Sequence, residues 1–231
     1  MKPLFRVPIT LLLFPLLIAA CHTDSQPASQ APAIQFEAMA VGQKSHYIAL
    51  LGYDYYSTKD TFVYTDDTLQ LEIIAQDNNG YLIEETFQYV GDVSPWFEFE
   101  KDSIRRYYVK IRNDTLQFTP VGSPYLESHI FTYQTSQSGL PLADFSSPKI
   151  DIHGWKTSLD YCECRRTGYT EDYTLFGEHY DRLNILIANA PMAVDGNGDT
   201  YVYSRNKGIV RFSTYSWWFQ NGYGWDLLPQ Q

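Results

Sequence analysis

Four stretches of the chain carry side chains able to do chemistry. Asp195-Gly196-Asn197-Gly198-Asp199 sets three oxygen donors at the spacing that opens a calcium loop, and hard cations take such oxygens. The twelfth loop position is Asn206 rather than a bidentate glutamate, and the sixth is Thr200 rather than glycine. Asp, Asn and Gly also build ordinary tight turns. A turn is therefore the expectation, with Asp195, Asn197 and Asp199 as the weaker, calcium-binding alternative. Cys162-Glu163-Cys164 offers a disulfide, two free thiols, or a soft-metal clip completed by His153 and His179. One residue between paired cysteines is fewer than zinc sites use. Residues two apart on a strand lie near the upper limit of disulfide reach, about 7 Å between Cα atoms, and a turn shortens that distance. A local Cys162–Cys164 disulfide is favoured, with thiols next and metal last. Glu171, Asp172, Glu178 and Asp181 crowd around His179. Two carboxyl groups at a set separation are what a glycoside hydrolase needs; a solvated acidic face is the commoner origin of such a group. Trp217-Trp218-Phe219-Gln220-Asn221-Gly222-Tyr223-Gly224-Trp225 is the densest aromatic run. Exposed, Trp217, Trp218, Tyr223 and Trp225 would stack on sugar rings or meet a partner. Buried, they would close the core with their indole N–H groups on carbonyls. Burial is expected for at least one of Trp217 and Trp218, since strand neighbours face opposite ways. No Gly-x-Ser-x-Gly, His-Glu-x-x-His or phosphate loop is present, and no cofactor is implied.

Strands must position these residues. Aromatic residues make up 16% of the chain, a composition suited to half-buried sheet surfaces. Leu69, Leu71, Ile73 and Ala75 alternate with polar residues, Asp77-Asn78-Asn79-Gly80 signals a tight turn, and Tyr81, Ile83, Phe87 and Tyr89 alternate again. Tyr107, Val109 and Ile111 precede Asn113-Asp114, with Leu116 and Phe118 after it. Asp67-Thr68-Leu69-Gln70-Leu71 and Asp114-Thr115-Leu116-Gln117-Phe118 are near copies, each read as a turn opening a strand. Residues 43–57 are apolar with an ambiguous period, and residues 119–160, rich in Pro and Gly, read as loop with short strands. Leu183 to Ile187, Thr200 to Ser204 and Ile209 to Tyr215 read as strands, with turns at 195–198 and 205–208. No long helical stripe follows residue 21. The fold class expected is all-β: an antiparallel meander forming a curved sheet, half-barrel or sandwich with little helix.

Residues 1–20 form a separate unit. Lys2 and Arg6 precede an apolar run from Val7 to Ala20, which is too short to span a bilayer and is interrupted by Pro8 and Pro15. Ile18-Ala19-Ala20-Cys21 then resembles the lipobox of bacterial lipoproteins. The resemblance implies cleavage before Cys21, diacylglycerol on its sulfur and acylation of its new amine. It implies a lipid bilayer as partner through those acyl chains and a cell-envelope location, with the outer membrane expected, on its periplasmic or surface face. Residues 21–35 then read as lipidated cysteine and flexible Pro/Ser/Ala/Gln tether, and 36–231 as one β-rich domain. Removing residues 1–20 leaves 211 of 231 residues, with 15 basic against 27 acidic groups, a formal −12. Such a charge argues against nucleic acid. Tyr180, Leu183-Asn184-Ile185-Leu186-Ile187, Tyr201-Val202-Tyr203-Ser204 and Gly208-Ile209-Val210-Arg211 further resemble the closing strands of secreted bacterial β-sheet proteins, which implies a curved sheet and no particular activity. The function expected is a membrane-anchored envelope lipoprotein acting as a non-catalytic binding or structural module for a protein or glycan. The alternative is a hydrolase of an envelope or extracellular polysaccharide.

Overall fold

The computed structural model describes residues 39–52, 61–90, 104–146, 148–157, 165–189, 197–216 and 221–230. All lie in the compact unit Ile34–Gln231. Short turns set the strand registers. Between β2 (Phe62–Asp77) and β3 (Gly80–Gln88), the Asn79 N–H donates to Asp77 Oδ1 at 2.7 Å and Gly80 takes φ +122°. Between β4 (Ile104–Arg112) and β5 (Thr115–Pro120), Asn113 and Asp114 both sit at positive φ, 48° and 55°, as a twisted two-residue hairpin requires. Phe176 and Gly177 do the same, at 49° and 82°, between β9 (Arg165–Leu175) and β10 (Glu178–Asn189).

The remaining elements are β1 (Lys44–Gly52), α1 (Tyr133–Ser138), β6 (Leu140–Pro141), β7 (Ile152–His153), β8 (Lys156–Thr157), β11 (Asn197–Ser204), β12 (Gly208–Ser216) and β13 (Asn221–Leu227). The fold is all-β, as the alternation predicts, with one short helix among the described residues. Among the described residues, no helix is long and apolar enough to cross a membrane. Two meanders build the main sheet. One runs from β1 out to β6 and the other from β9 back to β13, and β13 lies antiparallel on β1, joining them into eleven strands ordered β6-β5-β4-β3-β2-β1-β13-β12-β11-β10-β9.

Curling follows from one ring. Phe131 lies 4.4 Å from Phe118 of β5 and 6.2 Å from Tyr201 of β11, centroid to centroid. Those strands are seven places apart, about 34 Å in a flat sheet at ~4.8 Å per strand. They meet on one side chain because the sheet bends round it into a half-barrel. Its inner face carries Tyr47, Leu69, Ile83, Phe87, Tyr107, Phe212 and Trp225 in one buried cluster.

A strap between β5 and β9 fills and then wraps the half-barrel. Its first half buries Ile130, Phe131, Leu140 and Leu142 on the inner cluster. It then reaches the edge strand β9, where Ile150 N–H donates to the Tyr169 carbonyl and Tyr169 N–H donates to the Pro148 carbonyl. Beyond that edge Trp155 packs on Leu50, which alternates with inward-facing Ala49 and so faces out. Trp155 fits because register partners Gly52 and Gly222 carry no side chain; a Cβ on Gly52 would lie 2.2 Å from the indole.

Three sequence expectations need correction. Asp67 opens no strand. It sits inside β2, buried, accepting from Thr65 Oγ1 at 2.9 Å and from the Val90 N–H at 2.8 Å. Of the two near-copied segments, only Asp114 occupies a turn. Gly198 belongs to β11, not to a turn, and pairs with Tyr215. The described part of the ambiguous segment after Gln43 is β1, with residues 53–57 outside the described residues, and the hairpin of β11 and β12 is not the closing element, because β13 follows it.

Candidate functional site

Two buried carboxylates hold the strap inside the half-barrel, one from each meander. Glu85 of β3 is fully buried. Its Oε1 accepts from Ser128 Oγ at 2.6 Å and Tyr107 OH at 2.7 Å, and its Oε2 accepts from the His129 N–H at 2.7 Å. Asp199 of β11 accepts from Thr132 Oγ1 at 2.6 Å and from Thr214 Oγ1 at 2.7 Å. Thr132 also caps α1, its side chain accepting from Thr135 N–H, and donates its own N–H to Tyr201 OH at 3.1 Å. Burial raises the Glu85 carboxyl above its usual range, against the pull of Ser128, His129 and Tyr107. Burial likewise lifts Asp199 from 3.8 to about 6, although the Thr132 and Thr214 hydroxyls oppose it.

A raised carboxyl favours the folded state most when protonated. The Asp199 contribution is therefore full below its unfolded value of 3.8 and is lost as pH rises through about 6, a span worth on the order of 3 kcal/mol. Asp199→Asn should lose this slope: relative to wild type, the variant gains stability between pH 4 and pH 7. Urea midpoints at the two pH values test this. Parallel shifts of both proteins would show that Asp199 does not titrate in that window.

Beyond α1 the strap is held by its carbonyls, which side chains from the second meander capture in succession. Arg165 donates to Gly139 at 2.5 Å, Tyr203 OH to Pro141 at 2.5 Å, Arg205 Nε to Leu142 at 2.8 Å and Asn184 to Ala143 at 3.3 Å. Arg182 donates to Phe145. These bonds replace the strand partner that the irregular segment lacks. The outer margin of this seam is an open pocket of about 430 Å³ lined by Phe145, Arg182, Asn184, Ser204, Arg205 and Asn206. The Arg182 guanidinium carbon lies 4.0 Å over the Tyr169 ring centroid, a cation–π contact. The Asp144 carboxylate also lines the pocket, 3.9 Å from Arg205 Nε and largely solvated.

Among the described residues, size and charge favour this pocket. Ligand pockets run about 300–1,000 Å³. An apolar pocket beside Met39, Leu71, Val109 and Ile209 holds about 70 Å³, room for roughly two water molecules. A pocket of about 350 Å³ by Arg105, Arg106 and Tyr125 is large enough, but Glu84 neutralises Arg106 at 2.6 Å.

The sequence candidates are dispersed. Cys21, Cys162, Cys164, Asp195, Trp217 and Trp218 lie outside the described residues. Asn197 opens β11, and both carboxylate oxygens of Asp199 are engaged by threonine hydroxyls inside the core. Trp225 presents no binding surface: it is 1% exposed, and its Nε1–H donates to the His129 carbonyl at 3.0 Å. Tyr223, partly buried, packs against Phe212 at 6.2 Å. The acidic group around His179 spreads over the β9–β10 hairpin: Glu171 meets Lys149 at 3.2 Å, Glu178 meets Lys207 at 2.7 Å, and Asp181 meets His179 at 3.3 Å. The Lys207 hydrogen bond holds Glu178 below its usual value, opposite to what a general acid needs. The pocket residues escaped the sequence reading because they come from a loop, two strands and the turn after β11. Their only local signal is the Arg205-Asn206 turn. No family model, curated protein or solved structure matches the chain.

Proposed function

We propose that the chain is a membrane-anchored envelope lipoprotein, held by acyl chains on Cys21 at the outer membrane, whose half-barrel is a non-catalytic module that binds a glycan. The lipobox-like Ile18-Ala19-Ala20-Cys21 supports the anchor. The observation that carries the binding role is the pocket of about 430 Å³ at the strap seam, whose lining combines the guanidiniums of Arg182 and Arg205, the amides of Asn184 and Asn206, and Phe145. That mixture of hydrogen-bonding groups and one aromatic surface suits a sugar, which has hydroxyls on its rim and C–H groups on its faces. Among the described residues, Glu171, Glu178 and Asp181 are engaged in ion pairs on the β9–β10 hairpin and Glu85 and Asp199 in the buried clamps on the strap, which leaves Asp144 as the one carboxylate lining the pocket, where a glycoside hydrolase needs two.

Anchoring is tested by Cys21→Ala. The variant should leave the membrane fraction or accumulate as uncut precursor. A matured variant that still fractionates with membranes overturns the lipoprotein reading. Binding is tested by passing the detergent-purified full chain over immobilised envelope glycans. Saturable retention, competed by the free glycan, is the expected result, and its absence across the panel removes the glycan reading.

A further inference from the structure

We infer that the strap-seam pocket selects a saccharide bearing a carboxylate, with Arg182 and Arg205 holding the anionic group. This rests on the glycan-binding reading and assigns the substrate class of the same site.

Charge points to an anion. The chain carries a formal −10, yet the pocket lining holds two guanidiniums against the single carboxylate of Asp144. A local reversal of sign in an acidic protein is what recognition of an anion requires, since the surrounding field would otherwise repel it.

Both guanidiniums are preorganised. Arg182 lies over the Tyr169 ring and is tied to the Phe145 carbonyl. Arg205 is tied through Nε to the Leu142 carbonyl. Neither bond uses all five N–H donors of a guanidinium, so both groups keep donors while their long side chains are already ordered. Planar guanidiniums bind carboxylates through paired N–H groups.

Neutral groups stand beside these charges. Asn184, Asn206 and Ser204 supply neutral donors and acceptors, and Phe145 supplies an apolar surface. A bare anion would use none of these; a sugar acid uses all of them. Asn206 is exposed at the β11–β12 turn, and its Oδ1 accepts from Ser204 Oγ at 2.7 Å, which orients the amide.

Trigalacturonate, its methyl ester and inorganic phosphate are titrated calorimetrically into the detergent-purified full chain. Trigalacturonate should bind saturably, the uncharged ester at least about tenfold more weakly, as loss of a charge-assisted hydrogen bond implies. Arg205→Lys keeps the charge but loses the fork and should weaken trigalacturonate about tenfold or more. Because Arg205 also anchors the strap, Asn206→Ala and Asp144→Asn serve as exposed variants. The first should weaken binding and the second strengthen it, with melting unchanged. Equal affinity for acid and ester overturns the charge selection and leaves glycan binding intact. Phosphate binding as tight as trigalacturonate overturns the saccharide and keeps only an anion site. Saccharide binding indifferent to all three variants moves the site elsewhere. No binding by acid, ester or phosphate removes this inference, while glycan retention on the immobilised panel judges the broader reading separately.

Discussion

Replacing Arg211 by alanine should lower folding stability by about 3–5 kcal/mol, the usual cost of removing one partner of a buried ion pair. Arg211 of β12 and Asp226 of β13 face each other across the sheet, with side chains 4% and 0% exposed. Their contact is two-pronged, Nε to Oδ1 and Nη2 to Oδ2. Tyr64 OH donates to Asp226 Oδ2 at 2.6 Å, and the guanidinium also donates to the Gly154 carbonyl on the outer part of the strap. The rings of Phe62 and Tyr173 each lie 5.8 Å from the guanidinium carbon and keep water off it. Burial would lower the arginine's proton affinity, but the Asp226 charge and hydrogen bonds overcome it, so the guanidinium stays protonated. Alanine would leave a carboxylate in a dry site with one phenol as partner. Against a typical net stability of ~5–15 kcal/mol, that loss takes a large share. Arg211→Met with Asp226→Leu removes both charges and should recover much of the loss. Urea unfolding at pH 7 measures all three proteins. An Arg211→Ala midpoint matching wild type would show that the pair contributes nothing.

Trp225→Ala should cost about 3–5 kcal/mol, the range for deleting a large core aromatic. The indole spans the join between the meanders. It lies 5.8 Å from the Phe87 ring of β3, its N–H holds the His129 carbonyl on the strap, and its strand pairs with both β1 and β12. The variant therefore opens a cavity and strands a buried carbonyl at once. Trp225→Phe separates the two effects. It keeps much of the ring volume and loses the N–H, so its loss should be clearly smaller. Thermal melts decide the point. A shift of the alanine variant under about 2 °C is too small for a lost core aromatic and would place Trp225 outside the cooperative core.

The β2–β3 and β4–β5 hairpins were legible in the sequence because each strand has one buried face, and because Asp77-Asn78-Asn79-Gly80 and Asn113-Asp114 carry the turn chemistry beside them. β13 was not, for a physical reason. Its outward positions are Gly222, Gly224 and Asp226, where Trp155 and the buried ion pair supply the cover that side chains supply elsewhere. A strand whose outer face is covered by a distant loop shows no period of its own. The β9–β10 turn was missed because Phe176 takes the positive φ that sequence patterns assign to Asn or Asp. The pocket was illegible because its members share no spacing; the strap unites them through carbonyls, which have no letter in a sequence. The cysteine pair and the first two tryptophans of the aromatic run lie outside the described residues.

The pairing of β1 with β13 has a consequence for how the molecule is made. Tyr47 finds its partner in Leu227, nearly the whole domain away. Hairpins of the first meander can zip as soon as they emerge, since their contacts are local, but one edge of β1 stays bare until the final strand arrives. Non-local closure of this kind gives high contact order and slow folding. An uncovered edge is meanwhile a template for pairing with another chain. A polypeptide threaded through a membrane from its N-terminus would therefore hold an unfinished sheet throughout translocation, and the last few strands, not the first, would commit it to the native state.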